Sequence, residues 1–189
     1  MQRQQKDPRR QLQGRQAKVA GEYFESLIVA SCQFYEESHL AKIEKTPEPM
    51  RPLRAPNSLG QFLACYIKQA QPDFKGAVCG GRAFVMEAKH TDADRIERSR
   101  LTPEQIDELE SYHAIGAHAF VLVSFSLRQF YRIPWPVWRD MREQFGRQSV
   151  KPEELEQYRV SAPGGIIKFL EGIVPPLRRE APGKDQAHE

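Results

Sequence analysis

The eight residues Phe84-Val85-Met86-Glu87-Ala88-Lys89-His90-Thr91 decide how the rest of the chain reads. Side chains alternate across a strand, so Val85, Glu87 and Lys89 share one face while Phe84, Met86 and Ala88 share the other. The apolar run ahead of Glu87 marks a buried strand, where a charge is expensive unless it is paired or bound to a cation. An exposed Glu-x-Lys alternation reads the same in isolation, so the neighbouring segments must arbitrate.

Upstream, Asp73–Val78 is a second strand, and Gly80-Gly81 signals the turn between the two. An odd-numbered loop centred on Gly80 puts Asp73 directly opposite Glu87. Two carboxylates so placed suit a hard cation, Mg²⁺ or Mn²⁺, with the Ala88 carbonyl as a further ligand and Lys89 one pleat along. Such a cation activates water, and a neighbouring ammonium stabilises a phosphorane, which is the kit for phosphodiester hydrolysis.

Downstream, Asp92–Arg100 reads as a loop with Arg95, Arg98 and Arg100 as phosphate candidates. Thr102 is an N-cap, Pro103 the first helical residue and Gln105 the closure of a capping box; Leu101 and Ile106 form a staple, and Gly116 stops the helix. Ala117–Phe125 is a strand buried on both faces, and Phe130–Pro134 pairs with it. One helix from Pro136 to Phe145, a Pro-Glu-Glu segment near Lys151–Tyr158 and a short helix over Ile166–Val174 complete the pattern.

Towards the N-terminus, apolar residues recur at helical spacing from about Arg15 to Ser38, through Ala17, Ala20, Phe24, Leu27 or Ile28, Ser31, and Phe34 or Tyr35. Glu25 shares a face with Gly21; it is either a metal ligand, a holder of metal-bound water or a solvated helix glutamate. Leu40–Lys45 reads as a strand. Pro47, Pro49, Pro52 and Pro56 then predict an extended excursion without regular structure, carrying Arg51 and Arg54, before a returning strand at Phe62–Ile67. The order predicts an α/β fold, a mixed sheet flanked by helices.

Composition narrows the class. The 189 residues are 40% hydrophobic and 28% charged, suited to one globular domain, and no apolar stretch approaches the ~20 residues of a membrane span. Three cysteines without a CxxC pair argue for reduced, buried thiols in the cytosol. Residues 1–20 carry a net charge of +5, Arg15 included, against −2 over the remaining 169, a basic, flexible arm suited to a polyanion. The expected division is thus an arm over 1–20, a catalytic domain over 21–174 with an insertion near 46–60, and a loose tail over 175–189. His90, His113 and His118 show no zinc-site spacing, and Trp135 and Trp138 are read as packing residues.

Gly21-x-x-Phe24-Glu25, the Pro72-Asp73 to Glu87-x-Lys89 spacing, Glu87-Ala-Lys-x-Thr91 and Glu104-Gln105-Ile106 together resemble the PD-(D/E)xK nucleases. Among these they are most similar to the RecU-type Holliday junction resolvases. The resemblance implies a restriction-endonuclease-like fold with a stalk-like insertion between early strands. It implies a metal-dependent endonuclease, working as a homodimer in the cytoplasm at the nucleoid, that resolves four-way DNA junctions in recombination and repair. Recombinase or branch-migration proteins would be partners, and no membrane. Asp73 and Glu87 are then metal ligands and Lys89 catalytic, with Glu25 assisting. Thr91 and Gln105 become supporting or DNA-positioning residues, and Lys45, Arg51, Arg54 and Arg15 DNA contacts. A nuclease for duplex, flap or single-stranded DNA, or a non-catalytic junction binder, is the alternative. Gln69-Ala70-Gln71-Pro72 replaces the Ser/Thr-rich stretch of such relatives.

Overall fold

In a computed structural model, which describes residues 8–47, 49–66 and 71–176, the chain forms a six-stranded mixed sheet between two helical layers. In chain order the elements are α1 (Pro8–Glu37), β1 (Ala41–Lys45), β2 (Met50–Pro52), β3 (Ala64–Tyr66), β4 (Phe74–Val78) and β5 (Ala83–Thr91). They continue with β6 (Ile96–Glu97), α2 (Pro103–Ala114), β7 (His118–Phe125), β8 (Gln129–Pro134), α3 (Trp135–Arg139), α4 (Met141–Phe145), β9 (Ser149–Val150) and β10 (Arg159–Val160). The main sheet runs β1-β4-β5-β7-β8-β10, with β5 and β7 its parallel pair.

Alternation along β5 divides the core as the sequence predicts. Phe84 and Met86 pack with Phe24, Ile28 and Tyr35 of α1, whereas Val85 packs with Leu101, Leu109, Trp135 and Trp138 on the other face. The β4–β5 hairpin pairs Phe74 with Met86 and Ala77 with Ala83, so the register is the one that sets Asp73 opposite Glu87. Gly76 on β4 lies against β1 so closely that an added Cβ would stand 2.0 Å from the Lys42 carbonyl oxygen. Gly76→Ala is therefore expected to destabilise the protein by about 3 kcal/mol or more, read as a lowered midpoint in thermal melts.

Several elements differ from the sequence reading. The stretch expected as a flexible arm is helical from Pro8, so α1 starts seven residues before Arg15. Residues 1–7 lie outside the described residues. Positions 11–19 are all exposed, so no apolar stripe announced this half of the helix. The proline-rich excursion is not irregular: β2 and β3 pair as a ribbon, tightened at its end by Asn57, whose Oδ1 accepts from the Leu59 and Gln61 backbone N–H groups. The strand expected over Phe62–Ile67 is only Ala64–Tyr66, and Ile67 lies outside the described residues. The Asp92–Arg100 loop contains β6, which pairs with β9 because Ile96 must be buried.

The Pro136–Phe145 helix is broken at Asp140. Trp135, Trp138 and Met141 are all buried at a spacing of three, and a straight helix of 3.6 residues per turn would rotate the last of them off the core. Ile166–Val174 is not a helix but an irregular strap. Its backbone N–H groups at Ile167 and Leu170 donate to Ser31 Oγ and Tyr35 Oη of α1, and Ile167, Phe169 and Leu170 are buried. Of the tail, residues 177–189 lie outside the described residues. Of the three thiols only Cys32 is buried; Cys79 is exposed, and all three are free. No helix among the described residues is long and apolar enough to cross a membrane.

Candidate active site

The sheet opens where β4 begins. Pro72 has no N–H for the ladder, so pairing to β5 stops at Phe74 while β5 runs on to Thr91. Asp73 fills the gap with its side chain: its Oδ2 accepts from the Ala88 N–H at 2.9 Å, and its carbonyl accepts from the Thr46 N–H at 2.8 Å. Asp73 is thereby fixed at the splayed ends of β1, β4 and β5.

Glu87 points to the α2 face and is 1% exposed, and Lys89, on the same face, is 14% exposed. Lys89 Nζ donates to Glu87 Oε2 at 3.0 Å, and Gln105 Nε2 donates to the same oxygen at 2.7 Å. The other oxygen, Oε1, is buried with no hydrogen-bond partner. Burial first, and the charge of Asp73 second, push the Glu87 carboxyl up to about 8, against the opposing pull of Lys89. A buried carboxylate with an unfilled lone-pair site, next to a second carboxylate, is built to receive positive charge.

The capping box of α2 is what delivers Gln105. Thr102 Oγ1 accepts from the Gln105 N–H at 3.3 Å, and Gln105 Oε1 accepts in return from the Thr102 N–H at 3.1 Å. With its oxygen held by the cap, the amide can only aim its NH₂ at Glu87. Gln105, expected as a supporting or DNA-positioning residue, is thus bonded to Glu87 and holds its orientation. Gln105→Leu is expected to cost about 1–2 kcal/mol in thermal melts, since it leaves two polar groups without their partner. Gln105→Glu keeps the cap but sets a third carboxylate beside Glu87, so its loss should grow from pH 6 to pH 8.

The remaining candidates are dispersed. Glu25 does not join Asp73 and Glu87: its carboxylate accepts from Lys45 Nζ at 2.6 Å, and among the described residues no group of three or more His, Cys, Asp and Glu side chains gathers as a ligand set. That bond also engages Lys45, expected as a DNA contact. Arg51 and Arg54 are exposed on the β2–β3 ribbon, and Arg15 is exposed on α1. Thr91 Oγ1 accepts from the Ala93 N–H at 3.1 Å. Arg98 donates to the Arg139 carbonyl and Arg95 to Asp94, whereas Arg100, bonded to the His90 carbonyl, lines the same groove as Lys89. His90 has its Nδ1 3.2 Å from Ser124 Oγ, its Nε2 3.3 Å from Asp92 Oδ1 and its ring against Phe24, at the wall of that groove. Both tryptophans are buried, with Trp135 donating to Glu110.

A groove of about 740 Å³ runs past Lys89, between Gln13, Gln16 and Gly21 of α1 on one side and Ala88, Thr91 and Arg100 on the other. An added Cβ at Gly21 would meet nothing within 4 Å, so no strand packs against this glycine. Gln13 and Gln16 were missed in the sequence because residues 1–20 were read as an arm, and as exposed polar positions they carry no apolar signal of the helix they stand on.

A model of the family described as RecU, Recombination protein U, matches residues 19–174. The chain is 29% identical over 144 residues to the Holliday junction resolvase RecU of Streptococcus pneumoniae strain Taiwan19F-14, covering 73% of each protein. It is 32% identical over 113 residues to that of strain Hungary19A-6, covering 58% of this chain and 57% of the relative. Among solved structures it is similar to Hjc, a Holliday junction resolvase of Archaeoglobus fulgidus, at a TM-score of 0.46 and 12% identity over 72% of this chain and 93% of that one, a likeness too remote to bear weight. With 156 consecutive residues under one family model, and with the Glu-x-Lys strand and capped Gln105 helix inside that span, the chain belongs to the RecU family.

Proposed function

We propose that this protein is an endonuclease that resolves four-way DNA junctions. The observation that carries the reading is the buried, unpartnered Glu87 Oε1 beside Asp73, with the Lys89 ammonium 3.0 Å from the other oxygen and an open groove alongside. The donors are all hard oxygens, which fits Mg²⁺ or Mn²⁺ and not a soft metal. Asp73 and Glu87 are the residues that would hold the cation. When bound, it supplies charge that activates a water and offsets the charge gathering on the phosphate.

The chain's own groups do the rest. Gln105 and Lys89 hold Glu87 in one orientation, and the Ala88 N–H holds Asp73. Lys89 stabilises the negative charge that develops as water attacks phosphorus, leaving a 5′-phosphate and a 3′-hydroxyl. The protein acts as a homodimer, so that two such sites nick two strands of like polarity, and it works in the cytoplasm with recombination partners. The β2–β3 ribbon serves as the stalk that meets the junction centre. Neutralising Arg51 and Arg54 together is expected to weaken junction binding and to lower its log–log salt slope by about two.

The decisive experiment offers synthetic four-way junction, linear duplex, flap and single-stranded DNA with Mg²⁺. Paired nicks in the junction, at least about a hundredfold faster than in duplex, are expected. Equal cutting of all four would favour a general nuclease of the same superfamily, and binding without cutting a non-catalytic junction protein.

A further inference from the structure

Around the N-terminal end of β5, four basic residues from four segments line one cavity. Arg82 precedes β5, His113 lies in the last turn of α2, His118 opens β7 and Arg132 lies on β8. They line a space of about 320 Å³ together with the apolar Phe120 and Ile173, and no Asp or Glu side chain lines it.

Neither guanidinium is neutralised. Arg82 Nε donates to the Gly116 carbonyl at 2.6 Å, and Arg132 Nη1 donates to the carbonyls of Phe169 and Glu171 at 2.9 and 2.7 Å. Carbonyls fix a guanidinium in place but leave its formal charge intact. Among the described residues neither arginine has a carboxylate within ion-pair distance, unlike Arg95, Arg139, Arg147 and Arg159. The charges of Glu171 and Glu110 reach Arg132 and His113, yet neither carboxylate lines the cavity. His118 is held below its ordinary pKa, first by burial and then by Arg82 and Arg132, so the cluster is short of negative charge.

We propose that this cavity is a second phosphate-binding site, which takes the oxyanion of a nucleic-acid backbone or of a free phosphate. Two planar guanidinium groups with donors left over from their carbonyl bonds, and two imidazoles lining the same cavity, match the acceptors of a tetrahedral oxyanion. Five residues of extended strand separate Arg82 from Glu87, roughly 16 Å at about 3.3 Å per residue, so a phosphate here is not the scissile one. The proposal does not rest on the catalytic reading of Asp73, Glu87 and Lys89.

Inorganic phosphate titrated into the full chain at constant ionic strength and pH 7 is the first arm, followed by the histidine side-chain ¹H–¹⁵N resonances. His118 and His113 are expected to move saturably toward their protonated positions. Arg82→Gln should weaken that response at least about fivefold, and Arg82→Lys, which keeps the charge, should preserve most of it. In the second arm, binding of a four-way junction is measured against salt. A slope lower by about one in Arg82→Gln identifies a backbone phosphate as the ligand; an unchanged slope with a positive first arm identifies a free phosphate. Histidine resonances that do not respond to phosphate, together with an unchanged salt slope in Arg82→Gln, overturn the proposal. The first arm needs no cleavage, so loss of the nuclease reading and loss of this site register separately.

Discussion

Asp73→Asn and Glu87→Gln are each expected to lower junction cleavage at least about a thousandfold while leaving junction binding within about threefold. Both substitutions keep shape and remove charge, so the fold should survive them. The Ala88 N–H still finds an amide oxygen at position 73, and Gln105 Nε2 still finds one at position 87. What disappears is the negative charge of each carboxylate and, with Glu87→Gln, the charge that pairs with the Lys89 ammonium. Lys89→Ala should lose cleavage comparably for a different reason, the absence of the ammonium beside the reacting phosphate. Single-turnover cleavage and gel-shift binding, measured on the same junction, separate the two effects. Wild-type cleavage rates in Glu87→Gln would remove the catalytic assignment.

The second large effect joins pH to stability. The Glu87 carboxyl rises from an unfolded value near 4.5 to about 8 in the folded chain. Between those values the folded protein holds a proton that the unfolded chain has released. Stability from this group is thus complete below about pH 4.5, falls as pH rises, and is lost above about pH 8, a decline on the order of 5 kcal/mol. Divalent cation should offset the decline, because it takes the place of the proton. Millimolar Mg²⁺ or Mn²⁺ is expected to raise the melting midpoint by roughly 5–10 °C at pH 8 and by little at pH 5. Glu87→Gln should flatten both dependences. A midpoint that ignores the cation at pH 8 would count against the carboxylate pair as a metal site.

Much of the site was legible because it is local. The turn at Gly80-Gly81 lies in the middle of the Asp73 to Glu87 interval, so hairpin register alone sets the two carboxylates opposite each other. The period of two along β5 assigns Glu87 and Lys89 to one face. Thr102, Pro103 and Gln105 specify a helix start within four residues. Each of these rests on backbone geometry over a few positions, which sequence spacing encodes directly.

The rest depended on residues distant in the chain. Ile166–Val174 has the apolar spacing of a short helix, yet its N–H groups are claimed by Ser31 and Tyr35 some 135 residues away. The Trp135 to Met141 segment breaks because three buried side chains must reach one core. Glu25 was drawn to Lys45, twenty positions on, instead of to the carboxylate pair. Sequence alone therefore determined the strand–turn–strand–capped-helix frame and the facing of its charged residues. Tertiary structure decided that Gln105 turns its spare donor onto Glu87, that one oxygen of Glu87 stays buried and unfilled, and that α1 walls the groove. Solvation is the reason: a carboxylate's water is removed only when separate segments close over it, and no spacing within one segment records that closure.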